Sequence, residues 1–169
     1  MQWTCDSYIA PRKTLDWTDA GTVTGGNRRN IRRAHFATHW RGIRGELAVD
    51  WIAEMVQRSI PSGFDGVSIF GEVSPFHTGA ELNYLALENY GSDSNPTANV
   101  DVFLRDVAGP LLGGEECARD YLRFARLRDN RAAIPQALGD VLERVGKLPR
   151  GPARRWAWLA DFLASLSYS

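Results

Sequence analysis

The chain has 169 residues; its 20 basic and 20 acidic side chains cancel, with 44% of residues apolar and 24% charged. This is the profile of a soluble globular domain long enough to bury a core, and balanced charge argues against a nucleic-acid binder, whose usual footprint is a pI above about 9. Two cysteines, Cys5 and Cys117, exclude a disulfide framework, no run approaches the roughly 18 apolar residues of a membrane span, and the polar start Met1-Gln2-Trp3-Thr4 does not read as a signal peptide.

Residues 1–9 offer one short strand, ended by Pro11. The glycine-rich stretch Gly21–Gly26 lacks the lysine and helix start of a phosphate loop and reads as a loop. The next run, Arg28-Arg29-Asn30-Ile31-Arg32-Arg33, has no interleaved aromatics and reads as a solvated loop. Ala34–Trp40 alternates as a strand should. Glu46–Ile60 then sets Leu47, Trp51, Ile52, Met55, Val56 and Ile60 on one helical face, with Pro61 and Gly63 as stop signals. Phe64–Val73, carrying Val67, Ile69 and Phe70, predicts a buried strand. Strand, helix and strand in that order make a βαβ unit with parallel strands.

From Gly79 onward every segment reads helical. Ala80–Tyr90 ends at Gly91, and Asn95-Pro96 predicts the next helix entrance. Val100–Ala108 should stop at Gly109-Pro110. Gly113-Gly114 punctuates, and Glu115-Glu116 place negative charge in the first turn of a helix running to about Leu127. Arg131–Val145 and Pro152–Leu166 complete the series. Of the basic residues only Lys13 and Lys147 are lysine, a bias spread along the chain and more consistent with codon usage than with one anion site.

Where parallel strands are covered by helices, ligands take the carboxyl ends of the strands. Three such ends carry candidate chemistry: Trp3 to Tyr8, Thr38 to Arg41, and Phe70 to Gly79. Glu72 shares strand parity with Ser68 and Phe70 and sits in a turn where a helix former has no local reason to be. Asp6, His39 and His77 can hydrogen-bond a substrate, and Trp3 and Trp40 can serve as platforms for a sugar ring. No Gly-x-Gly-x-x-Gly, Gly-x-Ser-x-Gly or zinc-spaced His/Cys cluster is present, so no cofactor or metal is expected. What remains is carboxylate, aromatic and imidazole chemistry, the repertoire of carbohydrate sites.

Gly66-Val67-Ser68-Ile69-Phe70-Gly71-Glu72-Val73-Ser74-Pro75, then His77-Thr78-Gly79, Asn83-Tyr84-Leu85-Ala86 and Asn95-Pro96 resemble the last barrel strand and following helix of large (β/α)8 glycoside hydrolases, in particular the α-glucuronidase-like group. Pro110 to Glu115 and Ala118-x-x-Tyr121 are similar to the helical region after that barrel. The resemblance implies an α/β fold: the last strands of a TIM-type barrel over residues 1–91, followed by an all-helical C-terminal region over 92–169. It implies Glu72 and Asp6 as catalytic carboxylates, His39, Trp40, His77 and Trp3 as substrate-binding groups, and hydrolysis of O-glycosidic bonds. A barrel takes about 200–250 residues, so the implied chain is one piece of a longer enzyme. Alone it would lack turnover, and it would either meet its missing barrel half or self-associate through open sheet edges. The competing expectation is a noncatalytic helical interaction or carbohydrate-binding module built on the tail after Gly79.

Overall fold

A computed structural model describes residues 2–4, 29–37, 47–59, 61–71 and 78–167. Three strands, β1 (Gln2–Thr4), β2 (Ile31–Ala37) and β3 (Gly66–Gly71), form one parallel sheet in the order β1-β2-β3. Helix α1 (Val49–Ser59) crosses from β2 to β3, as the βαβ reading requires, and buries Val49, Ile52, Ala53 and Met55. The two strands are joined at their start by a reciprocal pair: Asn30 N–H donates to the Asp65 carboxylate at 2.7 Å, and Asp65 N–H to the Asn30 carbonyl at 2.9 Å.

Strand β2 begins earlier than its alternation suggests, at Ile31, so the arginine run is not a solvated loop. Arg32 is only 1% exposed and shares its sheet face with Ala34. Its guanidinium lies 4.2 Å from the centre of the Phe64 ring, in a cation–π contact that contributes to holding the buried charge.

Helix α2 (Gly79–Tyr90) ends at Gly91. The next helix starts at Asn99, not at Asn95-Pro96: the Asn99 side chain accepts from the Asp101 and Val102 amides at 2.8 and 3.4 Å. Asn95 instead braces the preceding loop, bonding the Asn89 side chain and both the amide and carbonyl of Asn99, each at 2.8 Å. Nor does the chain stop at Gly109-Pro110. It runs from α3 (Val100–Phe103) through a five-residue π-helical segment (Leu104–Ala108) into α4 (Gly109–Leu112). The wide turn lets Gly109 N–H reach the Leu104 carbonyl, and Pro110 takes a first-turn place where its missing N–H is no loss. Gly109 suits this close approach, because a Cβ would lie 3.1 Å from the Leu104 oxygen and 3.2 Å from the Glu115 nitrogen, tighter than ordinary contact.

The turn into α5 (Glu115–Ala125) uses Gly113 at φ +102, with the amides of Gly113 and Gly114 both returning to the Gly109 carbonyl. Two short 3₁₀ turns (Arg126–Asp129 and Arg131–Ala133) lead to α6 (Ile134–Lys147) and α7 (Arg150–Ser167). Trp156 of α7, fully buried, organises this half. Its indole N–H donates to the Leu112 carbonyl at 3.0 Å, Tyr121 meets it edge-on at 5.2 Å, and Phe124 lies 6.2 Å away.

This architecture corrects the expected barrel segment. After β3 no further strand appears among the described residues, and most of them are helical. In a (β/α)8 barrel each helix covers strands; here α4, α5, α6 and α7 bury their apolar faces on one another around Trp156. The protein is a helical body carrying a small parallel sheet. Tyr90 and Phe103, rings 5.6 Å apart, belong to one core that runs from Ala34 to Leu163. No helix among the described residues is long and apolar enough to cross a membrane.

Candidate functional site

The parallel strands leave the sheet on one side, at Thr4, Ala37 and Gly71. Just before this edge the pairing of β2 with β3 shifts: Ala34 opposes Ile69 but Ala37 opposes Gly71. One extra residue in β2 makes this a bulge, a device that bends a strand and re-aims the residues beyond it.

Helix α1 follows β2 and α2 follows β3, so both start on this side, and three polar contacts hold these starts. Asn83, fully buried in α2, accepts from Ala48 N–H at 2.8 Å, just ahead of α1. Asp50, in the first turn of α1, pairs with Arg126 at 2.8 Å. Glu81, in the first turn of α2, receives both Nε and an Nη of Arg155, at 2.8 and 2.7 Å. Each acid sits where a helix N-terminus favours negative charge, and each arginine comes from the helical body. The edge is therefore braced from behind by residues 35 to 76 positions away in sequence.

Of the residues predicted from sequence, Asp6, His39, Trp40, Glu72 and His77 lie outside the described residues. Trp3 is the middle residue of β1, in register with Arg32. The bracing residues Asn83, Glu81 and Arg155 are not among the sequence candidates. Asn83 left one detectable signal: it stands with Ala86 and Tyr90 on the helical face that becomes buried, where an apolar residue is the rule.

Two further polar groups lie on the helices, at the end of α2 and on α5. Tyr90 is buried with its hydroxyl lacking a hydrogen-bond partner, and burial, assisted by the Asp50 charge, raises its pKa so that it stays a neutral phenol. Cys117 accepts from Arg144 at 3.0 Å, and Arg144 also pairs with Asp120 and lies over the Trp156 ring. Among the described residues no group of three His, Cys, Asp or Glu side chains is placed to hold a metal ion. Compared with protein-family models, curated proteins and solved structures, the chain matches none of them.

Proposed function

We propose that the chain binds carbohydrate at the carboxyl-terminal edge of its parallel sheet, without cleaving it. The observation that carries this reading is the common edge: β1, β2 and β3 are parallel and adjacent, and their ends at Thr4, Ala37 and Gly71 fall on one side. In the sequence, Asp6, then His39 and Trp40, then Glu72 and His77 come after those three ends. Carboxylates and imidazoles suit sugar hydroxyls, and an indole face suits the apolar side of a sugar ring. With β2 between them, β1 and β3 stand about 9.6 Å apart at ordinary strand spacing, room for one or two sugar rings. The hydrolytic reading leaned on a closed barrel to bring a proton donor opposite Glu72; a small sheet backed by helices favours binding instead.

Calorimetric titration with xylo-oligosaccharides, with and without glucuronic acid substituents, tests the proposal while released reducing sugar is monitored. Glu72→Gln and Trp40→Ala should each weaken binding about tenfold or more at unchanged melting temperature. Absence of binding by every probe, or binding that ignores both substitutions, refutes it. Sugar release that Glu72→Gln abolishes would return the site to hydrolysis.

A further inference from the structure

Asp50 uses only half of its carboxylate. Oδ2 pairs with Arg126 at 2.8 Å, while Oδ1 is buried and has no hydrogen-bond partner among the described residues. The Tyr90 hydroxyl is likewise bare, on a side chain only 2% exposed. Buried polar atoms are paired in the great majority of cases, and one left bare has lost its hydration with nothing in return, so two of them in one region call for a reason.

The helices bring the two together. Helices α1 and α2 run side by side in the same direction: Ala48, just ahead of α1, is bonded to Asn83, and Gln57, near the end of α1, donates to the Thr97 and Ala98 carbonyls beyond α2. Asn83 and Tyr90 are seven residues apart, nearly two whole turns, so they share one buried face of α2 about 10 Å apart along its axis. A long helical side chain leans back toward the start of its helix. The Tyr90 ring therefore runs from the end of α2 toward the first turn of α1, where Asp50 stands two residues past Ala48. Burial first, and then the Asp50 charge, raise the pKa of the phenol, so the hydroxyl keeps its proton and can donate it.

We propose that Asp50 is a two-position latch, which holds the helical body through Arg126 and turns its carboxylate to the Tyr90 hydroxyl when that arginine leaves. Arg126 is the partner able to leave: its side chain is 44% exposed, against 11% for Arg155 in the pair with Glu81. The second partner matters because a partly buried carboxylate that loses its cation is otherwise stranded. The start of α1 thus separates from the body at low cost, while Glu81 and Arg155 keep α2 attached.

Urea unfolding of single and combined variants tests the latch. In the parent, Tyr90→Phe should not raise the unfolding constant, because the hydroxyl is not in use. In an Arg126→Met background the same substitution should raise it about tenfold, the strength of a hydrogen bond to a charged group, and adding Asp50→Ala should abolish that effect. A crystal structure of Arg126→Met should show the Tyr90 oxygen about 2.7 Å from an Asp50 oxygen. A rise no larger in the Arg126→Met background than in the parent, one that survives Asp50→Ala, or a carboxylate still turned away from Tyr90 in that crystal structure overturns the proposal.

Discussion

The ion pair between Glu81 and Arg155 offers the sharpest test of how the sheet edge is held. Its side chains are 14% and 11% exposed, the contact is bidentate, and its partners are 74 residues apart, on α2 and α7. Taking these charges out of water is costly, and their geometry offsets that cost only while both are present. Arg155→Met therefore strands a carboxylate, and Glu81→Met strands a guanidinium. Each should cost about 3 kcal/mol, at the lower end of the range for breaking a buried pair because some solvent still reaches it. For a chain of this size that is a fall in melting temperature of roughly 6–12 °C. The double substitution removes both charges and fills the space with apolar side chains, so it should return to within about 1 kcal/mol of the parent. Urea unfolding followed by tryptophan fluorescence supplies the four free energies, with a constant m-value as the check on two-state behaviour. Single losses below about 1 kcal/mol, or a double variant as unstable as the sum of the singles, would refute the reasoning.

Asn83→Ala should cost about 1–3 kcal/mol in the same unfolding assay, because it leaves the buried Ala48 amide without its acceptor; a loss near zero would mean the helix starts are not pinned there. Gly113→Ala should destabilise by at least about 1 kcal/mol, since the residue sits at φ +102 and a Cβ would lie 2.6 Å from a Leu148 methyl. Adding Leu148→Ala should recover the steric part of that loss and not the backbone part. Tyr90→Phe should leave stability unchanged or raise it, as the hydroxyl has no hydrogen-bond partner in the interior; a clear loss on thermal melting would reveal a bond to that oxygen.

Apolar periodicity in the sequence was enough to locate α1, α2, α6 and α7 to within a few residues and to order strand, helix and strand around α1, while the Gly113-Gly114 break and the acids after it located α5. Those are local properties: a repeat of three to four residues makes a helix amphipathic whatever it later packs against. The order of the strands was legible for the same reason, whereas the residues that brace their ends were not. A glutamate in a first helical turn reads as macrodipole compensation, and only the fold brings Arg155 to it from the last helix. Arg32 is buried where the fold of β2 sets its guanidinium over the Phe64 ring, which the sequence run alone does not show. Pro110, by local rules a stop, is carried inside a helix because a π turn frees the bond it cannot make. The barrel expectation failed on the same ground. An apolar stripe specifies that a face will be buried and leaves open what buries it, and here α4 to α7 found each other around Trp156 instead of more strands. Helix faces are set by the order of residues along the chain, but their partners are chosen by shape and polar complementarity between segments dozens of residues apart, which only the folded chain brings into contact.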